Sequence, residues 1–217
     1  MSQDGPMLAD HFPLLALRVR TPRLELRLPA PEELAALAEL AAEGVHAPDS
    51  MPFLVPWTDQ EPALVARSLV QFHWLRLGRW SPDDWGLDLV VFRDGEVVGQ
   101  QSMSAKQFAI IREVHTGSWV GRRHQGQGIG TEMRRAVLHL AFAGLGAEEA
   151  ASGAFEDNAA SLAVSRKLGY RPDGVARHVV RDALAVEHRL RLGRDAWRDD
   201  VPVTIEGLPP CLPLFGI

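Results

Sequence analysis

The hydrophobic pattern of the chain predicts alternating strands and helices. In residues 23–28, Leu24, Leu26 and Leu28 alternate with charged residues, which is the period of a half-buried strand. Similar apolar segments between turn residues predict further strands at residues 87–92, 96–103, 114–121, 150–155, 175–180 and 183–192. Asp94-Gly95 is typical of a tight hairpin turn, and Arg181-Asp182 is predicted to form the last hairpin.

Helices are predicted where apolar residues recur every three to four positions. They cover about residues 31–44, 62–77, 131–143 and 159–168. Pro31 suits the first turn of the first helix, while Asn158 and Gly169 are placed to cap the two ends of the last one. Helices interleaved with hairpins predict an α/β (α+β) fold with a mixed sheet rather than a doubly wound parallel sheet.

Length and composition are compatible with a single domain. The chain has 217 residues, of which 46% are hydrophobic, and this is enough for one well-buried core. After Trp197 the pattern becomes irregular and rich in proline, so we predict a domain over residues 1–197 and a C-terminal tail over residues 198–217. Such a tail, ending in Leu214-Phe215, is a candidate for packing on a partner subunit, which leaves a homo-oligomer open.

Charge and cysteine content argue against several classes of function. The net charge of -5 gives no support for nucleic-acid binding, which depends on a basic surface. The one cysteine, Cys211, cannot form an intrachain disulfide, and the eight histidines are not paired with carboxylates at metal-ligand spacing. The sequence shows neither an apolar segment of membrane-spanning length nor a secretory signal pattern, so we predict a soluble cytoplasmic protein without a metal.

The strongest chemical signal is a glycine-rich segment between a predicted strand and a predicted helix, Gln125-Gly126-Gln127-Gly128-Ile129-Gly130-Thr131. Alternating glycines let consecutive backbone N–H groups face one point, and the following helix adds the positive end of its dipole. Two known phosphate motifs fail, since Gly-x-Gly-x-x-Gly needs a glycine at Thr131 and a P-loop needs a lysine before Thr131. We therefore predict a pyrophosphate site that differs from both.

Two segments together resemble the signature of the GNAT superfamily of N-acetyltransferases. Gln125, Gly128 and Gly130 match its Gln/Arg-x-x-Gly-x-Gly/Ala motif. Asn158-Ala159-Ala160-Ser161, followed by Lys167-Leu168-Gly169-Tyr170, is similar to a helix of the RimJ/RimL-like branch, which acylates the N-termini of ribosomal proteins. The resemblance covers about residues 21–197, and it implies a mostly antiparallel sheet with one splayed strand pair, flanked by helices.

Other segments resemble an actinobacterial subgroup of that branch, some of whose members are thought to prefer succinyl-CoA. These segments are Glu43-Gly44-Val45-His46, Met51-Pro52-Phe53, Val55-Pro56-Trp57-Thr58 and the end of the chain from Cys211 to Gly216. The resemblance implies an acyl-CoA-dependent N-acyltransferase that uses acetyl-CoA or succinyl-CoA, with direct attack by a primary amine. The acceptor stays open among a protein N-terminus, a lysine and a small molecule.

The resemblance also implies roles for residues around the glycine-rich segment. In the family, the pantetheine arm of the cofactor enters between the splayed strands, which implies backbone hydrogen bonds from Trp119, Val120 and Gly121. Asn158 is expected to bond to this arm as well as to cap its helix, and Ser161 lies one turn further on. Residues 125–131 are expected to hold the pyrophosphate.

Direct attack on a thioester needs a neutral amine and a thiolate that can leave. Glu113 and His115 are two residues apart on the strand before the loop, so they share a face and are candidates for the base. Many relatives have a tyrosine seven residues after the asparagine, which acts as the general acid for the thiolate. This chain has Ser165 at that position, and Ser161 lies on the same helical face. A serine is too short to replace a tyrosine without a water, so orientation of the reactants is expected to supply much of the rate.

Aromatic residues are candidates for the walls of an acceptor pocket, although each is more often part of a core. They are Phe53, Trp57, Trp74 and Trp85. Two other functions stay open at this point. One is a module of the same fold that binds acyl-CoA without turnover, and the other is a scaffold protein that assembles through its tail.

Overall fold

The computed structural model describes residues 6–217 and has nine strands in one sheet. The strands are β1 (Arg18–Arg20), β2 (Glu25–Arg27), β3 (Asp84–Arg93), β4 (Glu96–Lys106), β5 (Glu113–Val120), β6 (Glu149–Phe155), β7 (Arg171–Val180), β8 (Ala183–Gly193) and β9 (Thr204–Glu206). The helices are α1 (Leu8–His11), α2 (Pro31–Glu43), α3 (Pro62–Gly78), α4 (Phe108–Ile111), α5 (Ile129–His139) and α6 (Ala159–Lys167). A π-helical turn, Leu140–Gly144, extends α5.

The sheet is open and mostly antiparallel, in the order β7-β8-β6-β5-β4-β3-β2-β1-β9. β5 and β6 are parallel, and they pair through residues 113–115 and 149–151. Beyond these residues the part of the chain that the structure describes contains no further pairing between them, so the second half of β5 faces a gap. The prediction of a mixed sheet with one splayed strand pair, flanked by helices, is therefore confirmed.

Helices cover both faces of the sheet. α2 and α3 pack on one face, where Leu37 and Val65 belong to the same buried cluster as Trp119 of β5. α5 packs on the other face, where Met133 and Val137 join the main core. On the α2–α3 face, the first half of β5 is exposed at His115 and Gly117. This open surface adjoins the gap, which begins after His115 on the same strand.

The predicted elements are present, with boundaries that differ by a few residues. The hairpin turns form where predicted, through positive φ angles at Asp94, Gly95, Arg181 and Asp182. α5 begins at Ile129, earlier than predicted, because the preceding glycine adopts a left-handed conformation and caps the helix. The sequence pattern did not predict β1 and β9, because each has one apolar residue between two polar ones, whereas the alternation around β2 extends through Leu24, Leu26 and Leu28.

The C-terminal segment 198–217 packs against the rest of the chain. β9 pairs with β1, and Phe215 is fully buried with its ring centroid 4.9 Å from that of Trp85 and 5.5 Å from that of Trp80. Trp80 Nε1 also donates a hydrogen bond to the Leu214 carbonyl at 2.8 Å. Phe215 therefore packs on its own chain, whereas the sequence analysis had left the end of the tail as a candidate for packing on a partner subunit. The division of the chain at residue 197 stays a prediction.

Candidate functional site

The glycine-rich segment forms a tight turn that continues directly into α5. Gly126 and Gly128 have φ angles of 74° and 79°, in the left-handed region that favours glycine. Within residues 6–217, the amides of residues 126–131 donate to no backbone carbonyl. Because these amides are unpaired and the α5 dipole points its positive end at them, the turn is suited to bind an anion.

Two glutamine side chains anchor this turn. Gln125 Nε2 donates to the carbonyl oxygens of Val45 at 2.8 Å and Val120 at 2.9 Å. Gln127 Oε1 accepts from Arg93 at 2.5 Å. Both side chains are thus engaged within the chain. The Gln125 backbone amide also donates to the Arg122 carbonyl at 3.4 Å, which leaves the backbone amide of Gln127 to face a ligand.

Alternate residues of β5 direct their backbone groups to opposite sides. Gly121 N–H donates to the Val98 carbonyl at 3.0 Å, so Gly121 and Trp119, which is two residues before it, face β4. Ser118 and Val120 have the opposite orientation and face the gap. The expectation of backbone hydrogen bonds from Trp119 and Gly121 to a ligand arm is therefore corrected, because the register of β4 uses their amides. The amides of Ser118 and Val120 face the gap instead, and the role expected of Val120 stays a prediction.

The first turn of α6 lies beside the same end of the sheet. Asn158 Oδ1 accepts from the Ser161 amide at 3.1 Å, so Asn158 is the helix N-cap. This leaves the Asn158 side-chain NH₂ to donate elsewhere. Ser165, one turn after Ser161, is 1% exposed, and its hydroxyl has no hydrogen-bond partner within residues 6–217. It is therefore not bonded back to its own helix.

A polar cluster that the sequence analysis did not predict lines the gap on the α5 side. Arg134 donates to Ser118 Oγ at 3.0 Å and to Ser152 Oγ at 3.1 Å. Thr116 Oγ1 lies 3.3 Å from the Tyr170 hydroxyl. The sequence did contain one sign of this cluster: two small polar residues, Thr116 and Ser118, occupy alternate positions of β5 and therefore share a face.

The other face of β5 is open at Gly117, where a Cβ would meet nothing within 4 Å. His115 and Trp119 flank this position on the same face. His115 is 63% exposed, and its Nε2 lies 3.1 Å from Glu113 Oε1. Glu113 also bonds to Arg191, and this hydrogen bond raises the pKa of the Arg191 guanidinium. Arg191 thus stays charged and fixes a carboxylate that orients an accessible imidazole.

A second pair of a carboxylate and an imidazole lies on the same face, across the gap. His178 Nε2 is 2.8 Å from Glu187 Oε2. The Glu187 carboxylate lies over Gly153 of β6, where a Cβ would overlap it. Sequence analysis missed this pair because its members are on different strands, and a glycine inside β6 was the one local signal.

Aromatic residues line the open face beside Gly117. The ring centroid of Trp57 lies 5.2 Å from that of Phe53 and 6.1 Å from that of Trp119. Phe53 and Trp57 thus lie beside the open face, and their role as walls of an acceptor pocket stays a prediction. Trp85 is 1% exposed within the opposite core and Trp74 is 65% exposed on α3, so neither belongs to this wall. The expectation for Trp74 and Trp85 is therefore corrected.

Buried polar groups support the floor of this face under α3. His73 Nε2 lies 2.9 Å from Gln100 Oε1. Asp88 accepts from Ser102 at 2.5 Å and from Arg76 at 2.9 Å. Burial lowers the pKa of the His73 imidazole, so this ring is neutral near pH 7. His73, Asp88 and Gln100 of this network are buried, and the network joins α3 to β3 and β4.

Other chemistry is limited in the described part of the chain. No group of three or more His, Cys, Asp and Glu side chains within residues 6–217 is arranged to hold a metal ion. Burial raises the pKa of the Cys211 thiol to about 11, so this cysteine stays protonated and is a poor nucleophile. None of the helices in that part of the chain is both long enough and apolar enough to cross a lipid bilayer.

Comparison with protein families gives one domain match. The family model of the acetyltransferase (GNAT) domain matches residues 23–171. This span contains the glycine-rich segment, β5, β6 and α6, which together form the gap and its surroundings. It ends before the His178–Glu187 pair.

Solved structures of acetyltransferases share the fold. RimL, a ribosomal L7/L12 alpha-N-protein acetyltransferase in complex with coenzyme A, is 19% identical, with a TM-score of 0.62 over 81% of this chain and 97% of that chain. Mycobacterium smegmatis RimJ in complex with CoA-disulfide is 20% identical, with a TM-score of 0.62 over 82% of this chain and 86% of that chain. A ribosomal-protein-S5-alanine acetyltransferase from Vibrio fischeri is 16% identical, with a TM-score of 0.60 over 83% and 98%.

Proposed function

Because the chain belongs to the GNAT family of acetyltransferases, we propose that it moves an acyl group from an acyl-CoA thioester to a primary amine by direct attack, without a covalent enzyme intermediate. The observation that carries this proposal is the position of the gap-facing amides of Ser118 and Val120, next to the anion site at the start of α5. A ligand that carries a phosphate group on an amide-containing arm matches both features.

The residues around the gap suit such a ligand. The unpaired amides of residues 126–131 match a pyrophosphate, and the Asn158 side chain and the β5 amides match the amides of a pantetheine arm. Two buried atoms on the helices beside the gap, Arg134 Nε of α5 and Ser165 Oγ of α6, have no partner within residues 6–217. Buried polar atoms are normally bonded, so these atoms mark a site that is completed by something polar. Acetyl-CoA is the proposed donor, and succinyl-CoA is the alternative.

The chemistry follows from the two sides of β5. An N–H of Ser118 or Val120 that donates to the thioester carbonyl would stabilise the oxyanion as the amine attacks. The amine approaches over Gly117, and His115, oriented by Glu113, takes its proton. An α-amine has a reference pKa near 8, against about 10.4 for lysine, so an N-terminus needs less help to become neutral. RimL acts on a protein α-amine, and we propose a protein N-terminus as the acceptor here too.

Replacing His115 by glutamine is expected to lower kcat/KM by about 100-fold, because a positioned base contributes between about 100-fold and 10,000-fold. The measurement is initial rates of acyl transfer to a peptide amine between pH 6 and pH 9. His178→Gln is the matched control, since His178 has the same kind of carboxylate partner across the gap. If His178→Gln has the large effect and His115→Gln does not, the role of the base belongs to His178 and Glu187.

The proposed function is tested by calorimetric titration of the full chain with acetyl-CoA, succinyl-CoA and free CoA, followed by a transfer assay. Three peptides serve as acceptors: one with a free N-terminus and no lysine, one with a blocked N-terminus and one lysine, and one with neither amine. Both acyl-CoAs are expected to bind, and the first peptide is expected to gain the mass of one acyl group.

Each outcome of this experiment identifies one function. If no acyl-CoA binds at millimolar concentration, the proposal is wrong and a scaffold role takes its place. If acyl-CoA binds but no amine is acylated, the chain is a binding module of the same fold. Transfer to the lysine peptide alone would keep the enzyme and correct the acceptor.

A further inference from the structure

Arg134 joins the two strands at the point where they separate. Its guanidinium donates to Ser118 Oγ on β5 and to Ser152 Oγ on β6, at 3.0 and 3.1 Å. Both serines lie beyond the last paired residues of the two strands, His115 and Ala151. The side chain therefore spans the closed end of the gap from the α5 side, and it is 4% exposed as a residue.

No carboxylate compensates this buried charge within residues 6–217. Glu132, two residues earlier on the same helix, is engaged by Arg23 at 2.6 Å and by Thr21 at 2.7 Å. Arg134 Nε has no partner at all in that part of the chain. A buried cation without a counter-charge is costly, so its presence needs a functional or structural reason. The neutral serine partners leave a positive potential at the end of the gap.

Ser118 lies between the Arg134 guanidinium and the gap, so it is the residue that can pass the effect of the positive charge to a ligand by a hydrogen bond. Its oxygen accepts from Arg134, and its own proton has no acceptor within residues 6–217. Ser152 differs, because its hydroxyl donates to the Thr116 carbonyl at 3.2 Å. The Ser118 hydroxyl is thus a free donor, and the cation behind it polarises its O–H bond. The backbone N–H of the same residue faces the gap as well.

We propose that Ser118, polarised by Arg134, stabilises the CoA thiolate that leaves when the acyl group is transferred. The inference rests on the proposed function, because it requires an acyl-CoA in the gap. It also answers a chemical need, since a thiolate that leaves is stabilised by a hydrogen-bond donor and the Ser118 hydroxyl is free to donate. Ser118 is then a catalytic residue that touches the sulfur, and Arg134 is a positioning residue.

The step balances without an acid that gives up its proton. The amine nitrogen attacks the carbonyl carbon and forms the C–N bond, and the surplus proton of the amine goes to His115. The C–S bond breaks and its electron pair stays on sulfur. Ser118 donates a hydrogen bond to this thiolate while its own oxygen accepts from Arg134. The thiolate later takes a proton from water, so Ser118 is unchanged.

The test measures the pKa of the CoA thiol when CoA, without an acyl group, is bound to the protein. The ultraviolet absorbance of the thiolate is recorded as the pH is raised. CoA without its sulfur gives the background from the protein. We expect the bound thiol to titrate about one pKa unit or more below an ordinary thiol, for which about 8.5 is the reference. In Arg134→Met the pKa should return to the ordinary value. The matched control is Arg135→Met, which should behave as wild type. The guanidinium of Arg135 pairs with Asp200.

If Arg134→Met fails to fold, Ser118→Ala still tests the inference. This variant removes one oxygen atom from a half-buried position, so it is expected to fold. Its bound thiol should titrate above the wild-type value while CoA still binds. If CoA binds and its thiol has the same pKa in wild type, Arg134→Met and Ser118→Ala, the inference is overturned and the proposed function stands. If CoA does not bind the wild type, the proposed function and this inference both fail.

Discussion

Replacing Gly130 by glutamate is expected to weaken acyl-CoA binding by about 100-fold or more while the protein stays folded. Gly130 lies in the first turn of α5, and a Cβ there would meet only Val164 Cγ2, at 3.9 Å. The Cβ of the new residue therefore fits at ordinary van der Waals distance. Its carboxylate would stand beside the amides of residues 126–131 and repel a pyrophosphate. Calorimetric titration with acetyl-CoA measures the effect.

The control for this variant is Ala36→Glu, which adds the same charge on the exposed surface of α2. It should leave the Kd for acetyl-CoA within about twofold of wild type, since a surface charge far from the site is screened by salt. Equal affinities for wild type and Gly130→Glu would show that the glycine-rich turn does not hold the phosphates. Comparing thermal unfolding of the two variants separates loss of binding from loss of folding.

Replacing Phe215 by alanine is expected to lower the free energy of unfolding by about 3–5 kcal/mol. Phe215 is fully buried between Trp80 and Trp85, and the alanine would leave a cavity that these large rings cannot easily close. Urea unfolding followed by tryptophan fluorescence measures the change. A loss of this size would make the C-terminal segment part of the core.

Phe72→Ala is the matched control, because Phe72 is the same side chain at a position that is 43% exposed. It should cost about 1 kcal/mol or less. If Phe215→Ala costs no more than Phe72→Ala, residues 198–217 are a separable tail, as the division at residue 197 predicted. Deletion of residues 198–217 would then leave a stable domain.

Features that arise within a few residues could be predicted from the sequence. The glycine-rich turn is one, because positive φ angles at Gly126 and Gly128 and the helix that follows are set by neighbouring residues. The hairpin at Asp94-Gly95 is another. The strands and helices around these signals, and hence the fold class, followed from periodicity.

Features that depend on register could not be predicted. Which amides of β5 face the gap is decided by its pairing with β4, and a shift of one residue would exchange Ser118 and Val120 for Trp119 and Gly121. The sequence analysis placed three consecutive residues in this role, although neighbouring residues of a strand cannot share one direction. The family resemblance indicated which strand lies beside the gap. The hydrogen-bond pattern shows which of its amides face the gap.

Contacts between distant elements were also beyond the sequence. Arg134 has an ordinary place on an amphipathic helix, where an arginine is usually solvated. Its partners Ser118 and Ser152 lie on two strands, 16 residues before it and 18 residues after it. The burial of Phe215 is similar, since a proline-rich segment gives no local sign of the tryptophans that will cover it.

The amide of Gln125 ties two parts of the site into one mechanical unit. It bonds to Val120 at the end of β5 and to Val45, just before the stretch that contains Phe53 and Trp57. A displacement of either part strains the same pair of hydrogen bonds. Under the proposed function, a ligand in the gap and an amine at the aromatic wall would both act on this unit. If the ligand changed the affinity for the amine, the amine would change the affinity for the ligand by the same factor.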